Sequence, residues 1–68
     1  MKFKLEIALD NEALHNEDGP DRVALSDLLS RVAGDVVERG SSPLSLEDGQ
    51  KVHDTNGNAV GFWRIARG

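Results

Sequence analysis

Few side chains in this sequence have the types and spacing that catalysis or metal binding requires. The chain has no cysteine, and its two histidines, His15 and His53, lie far apart in the sequence. A structural zinc site takes about four ligands, mostly nitrogen or sulfur. We therefore predict no metal and no other cofactor, and we interpret both histidines as surface residues.

One segment, 54–58, imitates the first half of a calcium-binding loop. Its sequence DTNGN has oxygen-bearing side chains at the first, third and fifth positions. Such a loop has glycine at position six and glutamate at position twelve, where this chain has Ala59 and Ile65. We interpret the segment as a turn.

Motifs for nucleotide binding and nucleophilic catalysis are missing from the sequence. Neither G-x-x-x-x-G-K-[ST] nor G-x-G-x-x-G occurs, and no serine lies in a nucleophile elbow. A chain of 68 residues suits one domain, 1–68, but it is short for a substrate cleft. We predict no catalytic residue and no enzymatic activity.

Charge is divided unevenly along the chain, whose formal net charge is −4. Ten of the twelve acidic residues lie between Asp10 and Asp48, whereas five of the eight basic residues lie outside that segment. The ends and the middle should therefore carry opposite electrostatic fields. No apolar stretch approaches the roughly 20 residues that cross a bilayer, and no signal peptide is evident. We expect a cytoplasmic protein with no membrane partner.

Two different patterns follow each other in the first third of the chain. Apolar and polar residues alternate over 2–9 and predict a strand with one buried side. The segment 10–21 is rich in acids and has no periodicity, which predicts a loop. Ala13 and Leu14 are its expected anchors.

Apolar residues then recur at three- and four-residue spacing over 22–39 and predict a helix. Asp18 or Asp21 should cap its amino end, and Gly40 should end it. We interpret Gly34 as a point of close approach to the sheet. The predicted buried stripe consists of Leu25, Leu28, Leu29, Val32 and Val36, widened by Val23, Ala33 and Val37.

A hairpin is predicted over 50–65 because Asn56-Gly57 is a strong signal for a tight turn. In a two-residue type I′ turn, Val52 faces Gly61 across the hairpin. In a three-residue loop that starts at the preceding aspartate and has a left-handed glycine, Val52 faces Val60. We prefer the first register, and both remain open.

These elements predict an α+β fold with the order βαββ. The last strand is apolar on both sides, so we place it between the other two and antiparallel to both, giving the sheet order 1-3-2. The helix should cover one face of this three-stranded sheet, the face that carries Trp63 and Ile65. The opposite face is expected to be open.

The end of the chain, Asp54–Ile65, resembles the ending D-x-N-G-N-x-V-G-x-W-x-I of small uncharacterised proteins from actinobacteria and their phages. The opening, Lys2–Leu14, is similar to their start K-F-x-x-x-I-x-x-D-N-x-A-F. The resemblance implies a small cytoplasmic protein with a phage accessory role. It supplies no catalytic or binding residue.

The open face is the predicted functional surface. An apolar centre surrounded by charge is typical of a protein interface, so we predict an interaction module that forms a homodimer or binds a protein partner. One alternative is weak binding of single-stranded nucleic acid to this face, which the single aromatic residue and the net charge disfavour. Another is an acidic inhibitor that mimics nucleic acid. The candidate interface residues are Lys2, Lys4, Lys51, His53, Val60, Phe62 and Arg64.

Overall fold

The computed structural model describes residues 1–38 and 43–68. The chain divides into two compact units, one formed by Met1–Ala8 with Pro43–Gly68 and the other by Leu9–Ser42. The fold is α+β, as predicted. In chain order the elements are β1 (Lys2–Ile7), a 3-10 helix (Glu12–Leu14), β2 (His15–Asn16), β3 (Gly19–Pro20), α1 (Arg22–Glu38), β4 (Gly49–His53) and β5 (Ala59–Ala66).

The first unit is a three-stranded antiparallel sheet. β5 lies between β1 and β4 and pairs with both. A central strand has no free edge, which suits a segment that is apolar on both sides. β1 ends at Ile7, two residues before the predicted end, because Leu9 and Asp10 form a turn.

The second unit contains regular structure where an acidic loop was predicted. Asn11 Oδ1 accepts a hydrogen bond from the Ala13 N–H at 2.9 Å and caps the 3-10 helix. β2 and β3 then pair as a two-residue antiparallel ribbon, and Gly19 has a φ of 126°. The predicted βαββ order is therefore not matched exactly. Leu14 is buried, as expected of an anchor.

Asp21 caps α1, which decides between the two predicted caps. Its Oδ1 accepts hydrogen bonds from the N–H groups of Val23 at 2.9 Å and Ala24 at 3.4 Å. These are two of the amide groups that have no partner within a helix. The predicted last helical residue, Arg39, and the predicted terminator, Gly40, lie outside the described residues.

The buried stripe of α1 is narrower than predicted. Leu28 and Val32 are buried, whereas Val23, Leu29 and Val37 are exposed. Successive helical residues are about 100° apart, which places Val23 and Val37 on the side opposite Val32. The prediction that Val23 and Val37 widen the buried stripe is therefore wrong. The same holds for Ala33, which is also exposed. That the helix covers one face of the sheet stays a prediction.

The turn of the hairpin is the three-residue loop, not the preferred type I′ turn. Gly57 has a φ of 84°, and no non-glycine residue in the described chain has a positive φ. A type I′ turn requires a positive φ at both central residues, so Asn56 excludes it. The Asp54 N–H donates to the Asn58 carbonyl at 2.9 Å, and the buried Asp54 Oδ1 accepts from the N–H groups of Asn56 and Asn58 at 2.9 Å each.

A register shift next to the turn nevertheless restores the preferred pairing. His53 pairs with Ala59, but Val52 pairs with Gly61, so Val60 is an extra residue on β5. Such a bulge bends the strand and redirects a side chain. Val52 therefore faces Gly61, as the preferred register predicted, although the turn itself is of the other kind.

Gly61 lies where the backbones of β5 and β1 come closest. A Cβ added there would meet the Glu6 carbonyl oxygen at 1.9 Å and the Ile7 Cα at 2.9 Å. Both are backbone atoms, which cannot move aside as a flexible side chain can. A glycine inside a strand often marks such an approach. By contrast, a Cβ at Gly34 meets no described heavy atom within 4 Å, so the interpretation of Gly34 as a point of close approach is wrong.

The two glycines provide a matched pair of substitutions. We expect Gly61→Ala to lower the free energy of unfolding by about 3 kcal/mol or more, because the methyl group must push β1 away. Gly34→Ala should raise it by up to about 1 kcal/mol through helix propensity alone. Urea unfolding followed by circular dichroism measures both changes. Equal stability of the two variants would contradict the close approach at Gly61.

Candidate interaction surface

Strand pairing brings the charged residues of the sheet onto one face. Residues paired across antiparallel strands have side chains on the same side. Lys4 pairs with Arg64, and Phe62 pairs with both Glu6 and Lys51. We call this set the open face; it consists of Lys2, Lys4, Glu6, Lys51, Phe62 and Arg64.

Phe62 is the apolar centre of the open face. It is 39% exposed although it lies on the central strand. Lys51 and Arg64 beside it are exposed, and Lys4 is half-buried. The Lys4 Nζ donates to the Gly68 carbonyl oxygen at 2.5 Å, in an exposed position.

The opposite face of the sheet is the buried one, as predicted. Trp63 is 1% exposed, and Ile65 and Val52 are also buried. Trp63 stacks on Phe3, with ring centroids 5.6 Å apart and an interplanar angle of 27°. Phe3 itself is 48% exposed, so the Trp63 side of β1 is only partly covered at its start.

Two of the predicted interface residues, Val60 and His53, differ in exposure. Val60 is 5% exposed, so its assignment to the open face is wrong. It is the extra residue of the bulge, and a bulge redirects the side chain that alternation would place. His53 is exposed and follows Lys51 by two residues along β4, which places it on the same side of that strand. His15 is exposed on β2, in the other unit.

The charge of the open face differs from that of the whole chain. Four of its residues are cationic, and Glu6 is its one carboxylate, whereas the chain has a net charge of −4. Lys4 and Arg64 are direct cross-strand neighbours, and like charges in that position repel. The open face is thus a local cationic surface around one aromatic ring.

An open groove follows β1 and the adjoining part of β5. Its volume is about 440 Å³, and it is lined by Phe3, Lys4, Leu5, Glu6, Phe62 and Arg64. These residues come from both sides of β1, because they include consecutive residues of the strand. The alternation over 2–9 predicts that Phe3 is buried, and that prediction is wrong. The available signal was its position near the start of a strand at the sheet edge, where alternation alone overstates burial.

The described parts of the chain contain neither a clustered set of metal-ligating side chains nor a membrane-spanning helix. Within residues 1–38 and 43–68, no group of three or more His, Cys, Asp or Glu side chains is placed to hold a metal ion. Neither helix of this part is long and apolar enough to span a membrane.

Truncation of the two neighbouring aromatic residues of β5 should have very different effects. We expect Trp63→Ala to cost about 3–5 kcal/mol of folding free energy, because it removes a fully buried ring. Phe62→Ala should cost about 1 kcal/mol or less, as its ring is already partly in water. Thermal unfolding by circular dichroism compares them. A folded Trp63→Ala variant beside an unfolded Phe62→Ala variant would mean that the two faces are assigned backwards.

Comparisons with known proteins add nothing to this surface. No family model, no curated protein and no solved structure matches the chain. The resemblance to the actinobacterial and phage proteins therefore stays a prediction.

Proposed function

We propose that the chain is a non-enzymatic protein-interaction module whose open face binds an acidic surface of a protein partner. The observation that carries this proposal is the half-exposed ring of Phe62 among Lys4, Lys51 and Arg64. Aromatic residues and arginine are enriched at protein interfaces and often supply most of the binding energy.

Charge supports an acidic partner in particular. Lys4 and Arg64 lie directly opposite each other, which costs free energy in the unbound sheet. Carboxylates from a partner would offset that repulsion and would also accelerate the encounter. The ring of Phe62 would supply the apolar contact at the centre, where water is excluded.

Self-association through the same face is less favourable than binding to an acidic partner. Two open faces in contact would bring eight cationic side chains, four from each copy, into one interface with few carboxylates. Juxtaposed like charges oppose association. The proposal also includes a cytoplasmic accessory role of the phage type, supported by the sequence resemblance alone.

Single-stranded nucleic acid is the second candidate ligand. The observation in its favour is the same one, since basic residues around an exposed aromatic ring form a stacking platform. Such platforms usually stack two or three bases, and this open face has one exposed ring. The net charge of −4 also repels a polyanion. An acidic protein surface is therefore favoured.

Binding of a defined acidic probe tests the proposal. The probe is a fluorescein-labelled peptide of glutamates with a central leucine, and the readout is fluorescence anisotropy. Phe62→Ser and Arg64→Glu should each weaken binding by about tenfold or more, and added salt should weaken it further. Val37→Ser is the control, because Val37 is also an exposed apolar residue but lies on α1; it should change nothing.

Two results would contradict the proposal. One is the lack of any peptide binding at about 1 mM, the weakest affinity that a specific contact of this kind should have. The other is equal binding by the wild type, Phe62→Ser and Arg64→Glu. A labelled oligothymidylate that binds more tightly than the peptide, with a steep salt dependence, would support nucleic acid instead.

A further inference from the structure

β1 forms one edge of the three-stranded sheet, and no described strand pairs with its outer side. The Ala8 N–H donates to the Val60 carbonyl at 2.8 Å, which fixes the alternation along the strand. Counting back from Ala8, every second residue of β1 forms backbone hydrogen bonds with β5. The residues between them direct their N–H and C=O groups away from β5, toward the free edge of the sheet. The residues with outward groups are Phe3, Leu5 and Ile7.

β1 lacks most of the structural features that prevent an edge strand from pairing with a strand of another chain. Natural edges are protected by proline, by bulges or by short length. β1 has six residues, no proline and no register shift against β5. It does carry charged residues, but Lys4 and Glu6 have opposite signs, so they can complement a second copy as well as repel one.

We infer that two copies of this chain pair antiparallel through their β1 edges, with Leu5 opposite Leu5 of the second copy. In this register Lys4 lies opposite Glu6 of the second copy, and Glu6 lies opposite its Lys4. Phe3 lies opposite Ile7. The inference goes beyond the proposed function, because it uses the edge of the sheet; of the open face, only Lys4 and Glu6 take part, and Phe62, Arg64 and Lys51 are left free.

Backbone geometry and charge select this register together. The residues with outward groups alternate along β1, and each must lie opposite such a residue of the second copy. The second strand can therefore slide relative to the first only in steps of two residues. One such shift places Lys4 opposite Lys4, and the other places Glu6 opposite Glu6; directly opposed like charges are destabilising. In the inferred register, Lys4 and Glu6 form a non-hydrogen-bonded pair, in which side chains come closest, with Cα atoms about 4.5 Å apart.

The pairing also covers apolar surface that the single chain leaves exposed. Phe3 is 48% exposed, and Leu5 and Ile7 are half-buried. A second β1 would cover Phe3 with its Ile7, and it would lie beside the part of the groove that Phe3 and Leu5 line. The antiparallel two-fold arrangement keeps both open faces on one side of a six-stranded sheet, which doubles the cationic surface.

A charge swap tests the register. Lys4→Glu and Glu6→Lys should each weaken the dimer by about tenfold or more, because each variant places like charges opposite each other twice. The double variant Lys4→Glu/Glu6→Lys restores opposite charges and should recover most of the affinity. Sedimentation equilibrium gives the dissociation constants, and circular dichroism confirms that each variant is folded.

Cysteine cross-linking provides an independent measurement, because the chain has no cysteine of its own. Leu5→Cys should form a disulfide-linked dimer under mild oxidation, since opposed residues have Cα atoms about 5.5 Å apart, within the range for a disulfide. Lys51→Cys, on the strand at the other edge of the sheet, is the control and should stay monomeric on a non-reducing gel.

Several outcomes would overturn the inference. These are a wild type that stays monomeric at about 1 mM, a dimer that the single charge variants leave unchanged, a double variant as weak as the single ones, and equal cross-linking of Leu5→Cys and Lys51→Cys. None of them decides the proposed function, because these experiments contain no acidic peptide, and Phe62 and Arg64 stay intact.

Discussion

The arrangement of the sheet depends on the space next to Gly61. At this residue β5 pairs with Ile7 on one side and with Val52 on the other, and the backbone of β1 occupies the place where a Cβ would be. The register of all three strands is therefore coupled at one glycine. Any larger residue would have to move β1 or β5, and a one-residue slip would exchange the buried and exposed sides of the strand.

The bulge at Val60 makes this pairing compatible with the turn. The loop that follows Asp54 would, by itself, place Val52 opposite Val60. The extra residue shifts the pairing, so Val60 is buried while Trp63 and Ile65 stay on the buried face. As a result, Phe62 and Arg64 face outward beside Lys4 and Lys51. The separation of apolar and cationic faces, on which the proposed function depends, follows from this local irregularity.

The parts of this structure that periodicity controls could be predicted from the sequence. Alternation located β1 and β5 and separated Trp63 from Phe62, and three- and four-residue spacing located α1. Features that depend on single hydrogen bonds could not be predicted in this way. The two-residue strands β2 and β3 are too short to show a period, and the bulge that buries Val60 leaves the alternation of the sequence unchanged. Gly61 did carry a signal, an isolated glycine within an apolar strand.

The pairing of β4 with β5 can be observed directly in solution by proton NMR. In antiparallel sheets, the α protons of non-hydrogen-bonded pairs come close enough for a strong nuclear Overhauser effect. We expect strong cross-peaks between the α protons of Lys51 and Phe62 and between those of Leu5 and Trp63. A cross-peak between the α protons of Lys51 and Gly61 in place of the first would mean that the bulge is absent. This result would contradict the register of β4 and β5, because the side chains of the two strands would then no longer lie on matching faces.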